Sequence, residues 1–336
     1  MSYLKLNKLT LFFIYALTLT NLFSQRNTLY VIHTNNTNGA LENCYCPDNP
    51  FGSVEKRSIY VRDFIKKNPN TILLDAGDFV TMSQQTLKDS LIAEAYGLLP
   101  YDAILYGDQE LVLDARTLNR LRGQLGTTLV GTNIDRSDFF TSKVIRRKGL
   151  RVAVMGIMDP YAIKFYPEDV KKRIRLSDPV ESVKNEMKKL SNKADIFILL
   201  THQGYDLDVE YAKKIKGLDL IVGSHSQTKI ESPKEVNNTL IVQAGKSGYY
   251  TGVVEIKTNR GKVVEKSGRL DTMKFDMPDD PRIMQMIEEF ESKTGRMNMR
   301  KKKLKEKAIS SGSGSDSGYS LQSYKTSMGI AEAVTE

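Results

Sequence analysis

The order of apolar and polar residues predicts strands that alternate with helices along most of the chain. Short runs rich in β-branched and aromatic residues, such as TLYVIHT at 28–34, are typical of strands. Further strands are predicted at residues 71–74, 103–106, 129–131, 144–145, 152–156, 196–200, 220–222, 240–243 and 252–257. Helices are predicted at residues 54–67, 87–96, 180–190 and 207–215. This alternation predicts an α/β fold with its site at the carboxyl ends of the strands.

The amino terminus has the pattern of a secretory signal peptide. Lys5 and Lys8 precede an apolar stretch at 11–23, which is too short to span a bilayer comfortably. Ser24 and Gln25 mark the expected cleavage region, and an uncleaved N-terminal anchor is the alternative. We therefore expect residues 1–25 to be a signal peptide and the protein to be exported, to the periplasm or the extracellular space.

The carboxyl-terminal part departs from the alternating pattern after about residue 276. A last helix is predicted at 281–293, followed by the basic run RMNMRKKKLKEK at 296–307 and the linker-like run SSGSGSDS at 310–317. We expect one domain at 26–293 and a basic, Ser/Gly-rich tail at 294–336. The sequence leaves the oligomeric state open.

The composition is that of a globular protein, with 336 residues and a hydrophobic share of 40%. A net charge of +9 could indicate nucleic-acid binding, but the dense basic run lies in the tail and is typical of a solvated helix face. We therefore expect no nucleic-acid partner. For an exported protein, contact between the basic tail and a membrane surface is the better-supported alternative.

Cys44 and Cys46 are the only two cysteines. An oxidising compartment permits a disulfide, but one that closes a Cys-Tyr-Cys ring is strained and labile. Two thiolates alone also fall short of the four ligands that structural zinc requires. We expect a loop pair, oxidised or free, without an assigned role.

Five short polar motifs each follow a predicted strand, and two of the three histidines of the chain lie within them. The motifs are Asn36-Thr37-Asn38, Gly77-Asp78, Gly107-Asp108-Gln109-Glu110, Thr201-His202 and Gly223-Ser224-His225-Ser226-Gln227.

In order and spacing, these motifs resemble those of the calcineurin-like metallophosphoesterases, specifically the exported 5'-nucleotidase branch. The likeness runs from about residue 29 to residue 276 and includes the segments 33–39, 52–57, 73–78, 131–133, 154–157 and 242–245. The resemblance implies a four-layer α/β/β/α sandwich. It also implies phosphate ester hydrolysis with two divalent ions, which polarise the phosphoryl oxygens and lower the pKa of a bridging water.

The resemblance places the ligands of one ion on Asn36, Asn38, Asp78 and Gln227, where the family has Asp, His, Asp and His. Three of these positions therefore carry neutral amides. An amide oxygen can bind a hard cation, but it supplies no charge. We expect a second ion to be absent or weakly bound.

The ligands of the other ion fall on Asp78, Asp108, His202 and His225. Their single departure is Asp108 in place of the family's Asn, which keeps an oxygen donor and adds a negative charge. Two carboxylates and two imidazoles suit one Zn²⁺, Mn²⁺ or Fe²⁺. The alternative is that these residues persist in a decaying site that binds no metal.

Gln109 stands where the family has its catalytic histidine. A glutamine can donate a hydrogen bond to a phosphate oxygen, but it cannot act as an acid or base near neutral pH. We therefore expect an impaired exported hydrolase of phosphate esters or nucleotides. The alternatives are an inactive pseudoenzyme that serves as a binding or scaffolding module, and a variant hydrolase that recruits a hard ion into the amide half together with its substrate.

Three further residues have open roles. Arg57 is either a helix-start residue shared with the family or a surface arginine, Asp75 is expected to shape a turn, and His33 is expected to be packed behind the site. The family's nucleotidases carry a second domain whose aromatic residues hold the nucleoside. We expect the chain of 336 residues to end before such a domain, so we assign no nucleoside from the sequence.

Overall fold

The computed structural model describes residues 26–43 and 51–295. The predicted signal peptide, the Cys44 and Cys46 pair and the basic run of the tail lie outside the described residues. No helix within the described ranges is long and apolar enough to cross a membrane.

The described residues form two mixed β-sheets. Their strands are β1 (Arg26–Thr34), β2 (Thr71–Asp75), β3 (Ala103–Ile104), β4 (Ser142–Arg147), β5 (Leu150–Met158), β6 (Ile196–His202), β7 (Leu220–Val222), β8 (Lys234–Val236), β9 (Thr239–Val242), β10 (Tyr250–Asn259) and β11 (Lys262–Thr272). The first sheet has the order β11-β10-β1-β2-β3, and the second has the order β4-β5-β6-β7-β9-β8. Parallel pairing runs from β1 to β3 and from β5 through β6 and β7 to β9.

The described residues also form eight helices, and the longer ones cover the outer faces of both sheets. They are α1 (Val54–Lys67), α2 (Thr86–Gly97), α3 (Asp108–Leu111), α4 (Ala115–Leu125), α5 (Glu168–Arg173), α6 (Pro179–Leu190), α7 (Tyr205–Lys214) and α8 (Pro281–Thr294), with a 3-10 turn at Pro160–Ile163. Helices α1, α2, α4 and α8 pack together on the side of the first sheet, whereas α6 and α7 pack on the second. The arrangement confirms the four-layer α/β/β/α sandwich that the resemblance implied.

The two cores follow from the two-residue period of a strand. Ile198 and Leu200 of β6 face the core that lies between the sheets, while Leu199 faces the core shared with α6 and α7. Because both faces of this strand are buried, its sequence is a continuous apolar run and not an alternating one. That run is what made β6 readily predictable.

One predicted strand is shorter than expected, and another does not form. Strand β3 ends at Ile104 and not at residue 106, because the chain turns towards the site after Leu105. Residues 129–131 form no strand: Leu129 bridges to Ile104 and Val130 bridges to Phe140, one residue on each side. The apolar run at 129–131 therefore indicates that these residues are buried, but they form only isolated β-bridges and not a continuous strand.

The two longest elements that the sequence analysis missed are β11 and α4. Strand β11 pairs with β10 through a turn at Arg260 and Gly261, so the strand series does not close at residue 257. It was missed because it lies at a half-exposed edge and is largely polar. Helix α4 was also missed, although Asp114 caps its first turn by accepting hydrogen bonds from two backbone amides.

Candidate metal centre

The predicted site residues lie together at the carboxyl ends of parallel strands from both sheets. Asn36 and Asn38 follow β1, Asp78 follows β2, Asp108 begins α3 after β3, His202 ends β6, and His225 and Gln227 follow β7. Parallel strands direct these loops to one edge of each sheet. Packing of the sheets against each other brings the two sets of loops together.

Asp78, Asp108, His202 and His225 each contribute a ligand atom to one cluster, in which these atoms lie within 4.8 Å of one another. Asp108 Oδ1 is central, at 2.7 Å from His202 Nε2 and 3.1 Å from His225 Nδ1. His202 Nε2 also lies 3.4 Å from Asp78 Oδ1. The structure therefore brings together the four residues that the resemblance assigned to one ion.

His202 is fully buried, and its ring orientation is fixed from behind. The ring Nδ1 lies 3.0 Å from the backbone oxygen of Ala76, which can only accept a hydrogen bond, so Nδ1 is the protonated donor. The other nitrogen, Nε2, therefore faces the two carboxylates. Burial acts to lower the pKa of His202, but the neighbouring carboxylates of Asp78 and Asp108 raise it well above its ordinary value.

Asp108 is held by three donors. Burial acts to raise the pKa of Asp108, but hydrogen bonds from His202, His225 and Tyr166 hold it well below its ordinary range. Tyr166 donates from its hydroxyl to Asp108 Oδ2 at 2.6 Å. Sequence reasoning missed Tyr166, which is 58 positions away in the chain and lies outside every motif.

Asn36 is fixed in the orientation that directs its amide nitrogen at Asp78. Its Oδ1 accepts hydrogen bonds from Asn35 Nδ2 at 3.0 Å, Ser224 Oγ at 2.9 Å and the His225 backbone N–H at 3.1 Å. Since the backbone N–H can only donate, the atom facing it is the amide oxygen. The amide nitrogen, Nδ2, then donates to Asp78 Oδ2 at 2.9 Å.

The other substituted positions are also neutral. Gln109 Nε2 donates to Asn38 Oδ1 at 2.9 Å, and the Gln109 backbone N–H donates to Asp78 Oδ1 at 3.2 Å. Gln109 Oε1 is buried and accepts no hydrogen bond from any described residue. Gln227 is half-buried in the loop after β7. No charge on these side chains adds to that of Asp78.

The backbone is strained at the predicted ligand positions. Five of these residues have a positive backbone φ, which residues other than glycine rarely adopt. They are Asn36 at 44°, Asn38 at 52°, Asp78 at 61°, His225 at 71° and Gln227 at 55°. Such strain persists where the surrounding structure holds it and clusters at functional sites. It is present in the substituted half as well as in the half with four candidate ligands.

Gly107 is required by the close approach of Asp78 and His202. A Cβ atom at Gly107 would lie 2.2 Å from Asp78 Oδ1 and 2.5 Å from His202 Cε1. Glu110, three residues later, accepts hydrogen bonds from the backbone N–H groups of Gly107, Asp78 and Val80. The glycine and the glutamate of this motif thus hold the loop that presents Asp78.

Arg57 is fully buried, which excludes the surface alternative. Its Nη1 donates to Thr37 Oγ1 at 3.0 Å, and its guanidinium lies 5.0 Å from the centre of the Tyr96 ring. Asp75, also buried, accepts hydrogen bonds from Thr34, Tyr96 and the Gly77 backbone N–H, so it shapes the turn. Burial raises the pKa of Asp75 to about 6.

His33 is buried behind the loops and packs directly against Gly252 of β10. Its Nδ1 has no hydrogen-bond partner among the described residues. Burial lowers the pKa of His33 to about 3. It is a packed histidine and lies outside the four-residue cluster.

The donor set fits a divalent transition-metal ion. Two carboxylates offset the charge of the ion, and two imidazole nitrogens supply the directional ligands that Zn²⁺, Mn²⁺ and Fe²⁺ accept. The backbone oxygen of Ala76 fixes His202 in the way that a hydrogen-bond acceptor commonly orients a metal-binding histidine from behind. No other group of three or more Asp, Glu, His or Cys residues with this spacing occurs among the described residues.

Comparisons with known proteins point to phosphoesterases. The trifunctional nucleotide phosphoesterase protein YfkN of Bacillus subtilis is 25% identical over 310 residues, covering 79% of this chain and 20% of that protein. The 5'-nucleotidase of Bos taurus is 26% identical over 302 residues, covering 76% of this chain and 51% of that protein. No family model matches the chain.

A solved phosphoesterase structure has the same fold as this chain. The 5'-nucleotidase precursor of Thermus thermophilus superposes with a TM-score of 0.73 at 23% identity, covering 81% of this chain and 60% of that chain. At this identity, the likeness shows the fold. The chain spans about half the length of the curated 5'-nucleotidases that it matches.

Proposed function

We propose that this chain is an exported phosphate ester hydrolase of reduced activity with one metal site. Its homologues are 5'-nucleotidases and a nucleotide phosphoesterase, and its fold is that of the metallophosphoesterases. Asp78, Asp108, His202 and His225 would hold the ion. The proposal combines the four-residue cluster with the neutral character of the neighbouring half.

The main support for a single metal site is the hydrogen bond from Asn36 Nδ2 to Asp78 Oδ2. The family resemblance assigns Asp78 to the ligand sets of both ions, so a second ion would have to bind beside this carboxylate. In this chain an amide hydrogen occupies the position facing Oδ2. Because Asn36 cannot offer a charge and its oxygen already accepts three hydrogen bonds, binding a second ion there would require these bonds to break.

A divalent ion at the four-residue cluster would supply Lewis-acid chemistry to a phosphoryl oxygen and a nucleophilic water. The chain itself contributes the orientation of the ligands. Ala76 O fixes the His202 ring, Tyr166 holds one oxygen of Asp108, and Asn36 holds one oxygen of Asp78.

Gln109 explains why the activity is expected to be reduced. Its amide nitrogen donates to Asn38, and neither of its polar atoms titrates near neutral pH. The leaving group therefore receives no proton from this position. Loss of a general acid typically lowers the rate by about 10²-fold to 10⁴-fold.

We further propose that the substrates are phosphate esters or nucleotides, since the relatives are named for nucleotide hydrolysis. Export to the periplasm or the extracellular space is proposed from the signal-peptide pattern at residues 1–25. The basic run at 296–307 would then face a membrane surface.

The alternative is a pseudoenzyme that keeps the fold as a binding or scaffolding module. The contact of 2.7 Å between His202 Nε2 and Asp108 Oδ1 favours it, because a protonated His202 and the carboxylates stabilise each other without an ion. Metal binding has to displace that proton, which weakens metal affinity at low pH.

Metal analysis combined with turnover tests the proposal. Protein lacking residues 1–25 is reconstituted in parallel with Zn²⁺, Mn²⁺ and Fe²⁺, then assayed with a generic phosphodiester and a panel of nucleotides. We expect about one equivalent of metal per chain and slow turnover. Less than about a tenth of an equivalent with every metal would favour the pseudoenzyme. Two equivalents with efficient turnover would contradict the one-ion proposal.

Variants link any activity to the site. Asp108→Ala and His225→Ala are expected to abolish both metal binding and turnover, because each removes a ligand. Asp206→Ala, at an exposed position of α7, is the matched control and should change neither. Activity that survives both ligand substitutions would show that the activity comes from elsewhere.

A further inference from the structure

Tyr166 lies on a short turn between the 3-10 turn at Pro160–Ile163 and α5. The turn is anchored without the Tyr166 hydroxyl. Ala162 and Ile163 are buried, and Asp159 accepts hydrogen bonds from the Tyr161 backbone N–H and the Tyr211 hydroxyl. The Tyr166 ring itself packs against the main core.

The hydroxyl of Tyr166 reaches the oxygen of Asp108 that faces away from the histidines. It donates to Oδ2 at 2.6 Å, whereas Oδ1 lies 2.7 Å from His202 Nε2. A carboxylate that rotates about its terminal bond can present either oxygen, or both, to an ion. A donor on one oxygen opposes that rotation and leaves the other oxygen free to bind.

We propose that Tyr166 is a positioning residue for the metal centre, which keeps Asp108 as a ligand through Oδ1 alone. The proposal rests on metal binding at the proposed site. Tyr166 adds no charge, so Asp108 keeps the negative charge that distinguishes it from the family's asparagine. Of the three polar contacts of Asp108, the two histidines contact Oδ1, the proposed ligand atom, and the Tyr166 hydroxyl contacts Oδ2.

The role explains how an aspartate is accommodated beside Asp78. Two carboxylates repel each other, and the repulsion grows as their oxygens approach, so the orientation of each carboxylate affects its strength. Asp78 Oδ2 is held by Asn36, and Asp108 Oδ2 is held by Tyr166. Each carboxylate is thus left with Oδ1 towards His202, at 3.4 Å for Asp78 and 2.7 Å for Asp108.

Cobalt titration of the purified, metal-depleted protein tests the proposal, since Co²⁺ reports its coordination in its visible spectrum. Tyr166→Phe keeps the packed ring and removes only the hydroxyl. We expect the dissociation constant for Co²⁺ to rise about 10-fold to 100-fold, as is typical when a hydrogen-bond partner of a metal ligand is removed. The visible bands should also change as Asp108 becomes free to bind through both oxygens.

Tyr60→Phe is the matched control, because the Tyr60 hydroxyl donates to Asp271 in a similar tyrosine–aspartate pair on α1 and β11. It should leave both the affinity and the spectrum unchanged. The Tyr166→Phe change is also made in the Asp108→Asn background. There it should lower the affinity for Co²⁺ by less than it does in the wild-type protein, since a neutral amide is a weaker hydrogen-bond acceptor than a carboxylate. Thermal unfolding followed by circular dichroism establishes that each variant is folded.

The outcomes separate the two proposals. If wild-type protein binds Co²⁺ and Tyr166→Phe matches it in affinity and spectrum, the role of Tyr166 is overturned while the metal site stands. If wild-type protein binds no Co²⁺, the metal site is overturned and the role of Tyr166 falls with it. A fall in affinity with an unchanged spectrum would also contradict the proposed control of Asp108 orientation.

Discussion

The side-chain amide nitrogen of Asn36 lies 2.9 Å from Asp78 Oδ2 and donates a hydrogen bond to it. A carboxylate at position 36, as the family resemblance implies, would face Asp78 with a second negative charge and would need a cation between them. Asn36 therefore supplies Asp78 with a hydrogen-bond donor without a second cation. The asparagine at position 36, where the family has an aspartate, thus removes one negative charge from beside Asp78.

Asn36→Asp is expected to lower the free energy of unfolding of the metal-free protein by about 1–3 kcal/mol, because a hydrogen bond to a buried carboxylate is replaced by repulsion. Urea unfolding followed by circular dichroism measures it, since the chain has no tryptophan. Added Mn²⁺ should restore more stability to this variant than to wild type. Asn192→Asp, at an exposed position outside the site, is the control. Equal losses in the two variants would contradict the assignment.

Gly107→Ala is expected to lower metal affinity and stability together. The φ of Gly107 is −83°, which alanine adopts freely, so the effect is steric. The new Cβ would collide with Asp78 Oδ1 and His202 Cε1, and such overpacking costs about 1–3 kcal/mol. Gly123→Ala within α4, where a Cβ meets open space, should instead stabilise the protein by about 0.5–1 kcal/mol. Metal titration and urea unfolding provide the two measurements, and an unchanged metal affinity in Gly107→Ala would be the contrary result.

Arg57→Met is expected to destabilise the protein by about 1–3 kcal/mol, because it removes the hydrogen bond to Thr37 and a positive charge that acts on a buried carboxyl group. The affected carboxyl is Asp75, whose pKa Arg57 helps to hold down against the effect of burial. Adding Asp75→Asn to Arg57→Met should recover part of the loss, and a double-mutant cycle by urea unfolding measures the recovery. Strictly additive losses would argue against an electrostatic interaction between Arg57 and Asp75.

His33 predicts a specific dependence of stability on acid. Its pKa is lowered to about 3 in the folded protein from 6.5, so below pH 6.5 the unfolded chain takes up a proton that the folded protein resists. The free energy of unfolding should therefore fall by about 2 kcal/mol between about pH 8 and pH 5 on account of this residue. His33→Phe should remove that part of the dependence. An identical pH profile in wild type and variant would exclude His33 as its source.

Much of the fold could be predicted because its central strands are buried on both faces. The apolar runs that became β1, β2 and β6 were recognised from the sequence, and helix α1 was predicted with the bounds Val54–Lys67 that it has. Edge strand β11 was missed because half-exposed positions carry polar residues. Helix α4 was detectable from Leu118, Leu121 and Leu125, which form a buried stripe, and from the cap at Asp114.

The site was predictable only as a set of residue types. The motifs indicated Asp78, Asp108, His202 and His225 as one set, and the structure places their ligand atoms within 4.8 Å of one another. Tyr166 was not predictable, because an isolated tyrosine on a turn carries no local signal. Nor could the sequence tell that Arg57 is buried, since its burial depends on the packing of α1 and α2 over the first sheet.

The sequence by itself determined the charges of the site: amides at positions 36, 38, 109 and 227, and carboxylates and imidazoles at the four candidate ligands. Side-chain chemistry fixes these properties wherever the chain places them. The tertiary structure alone decided which atom faces which. The Asn36 amide meets Asp78 from 42 positions away because β1 and β2 are neighbours in one sheet. It meets Ser224 from 188 positions away because the two sheets pack with their strand ends together. Hydrogen bonds act over a few ångströms, so their partners are set by that packing and not by distance along the chain.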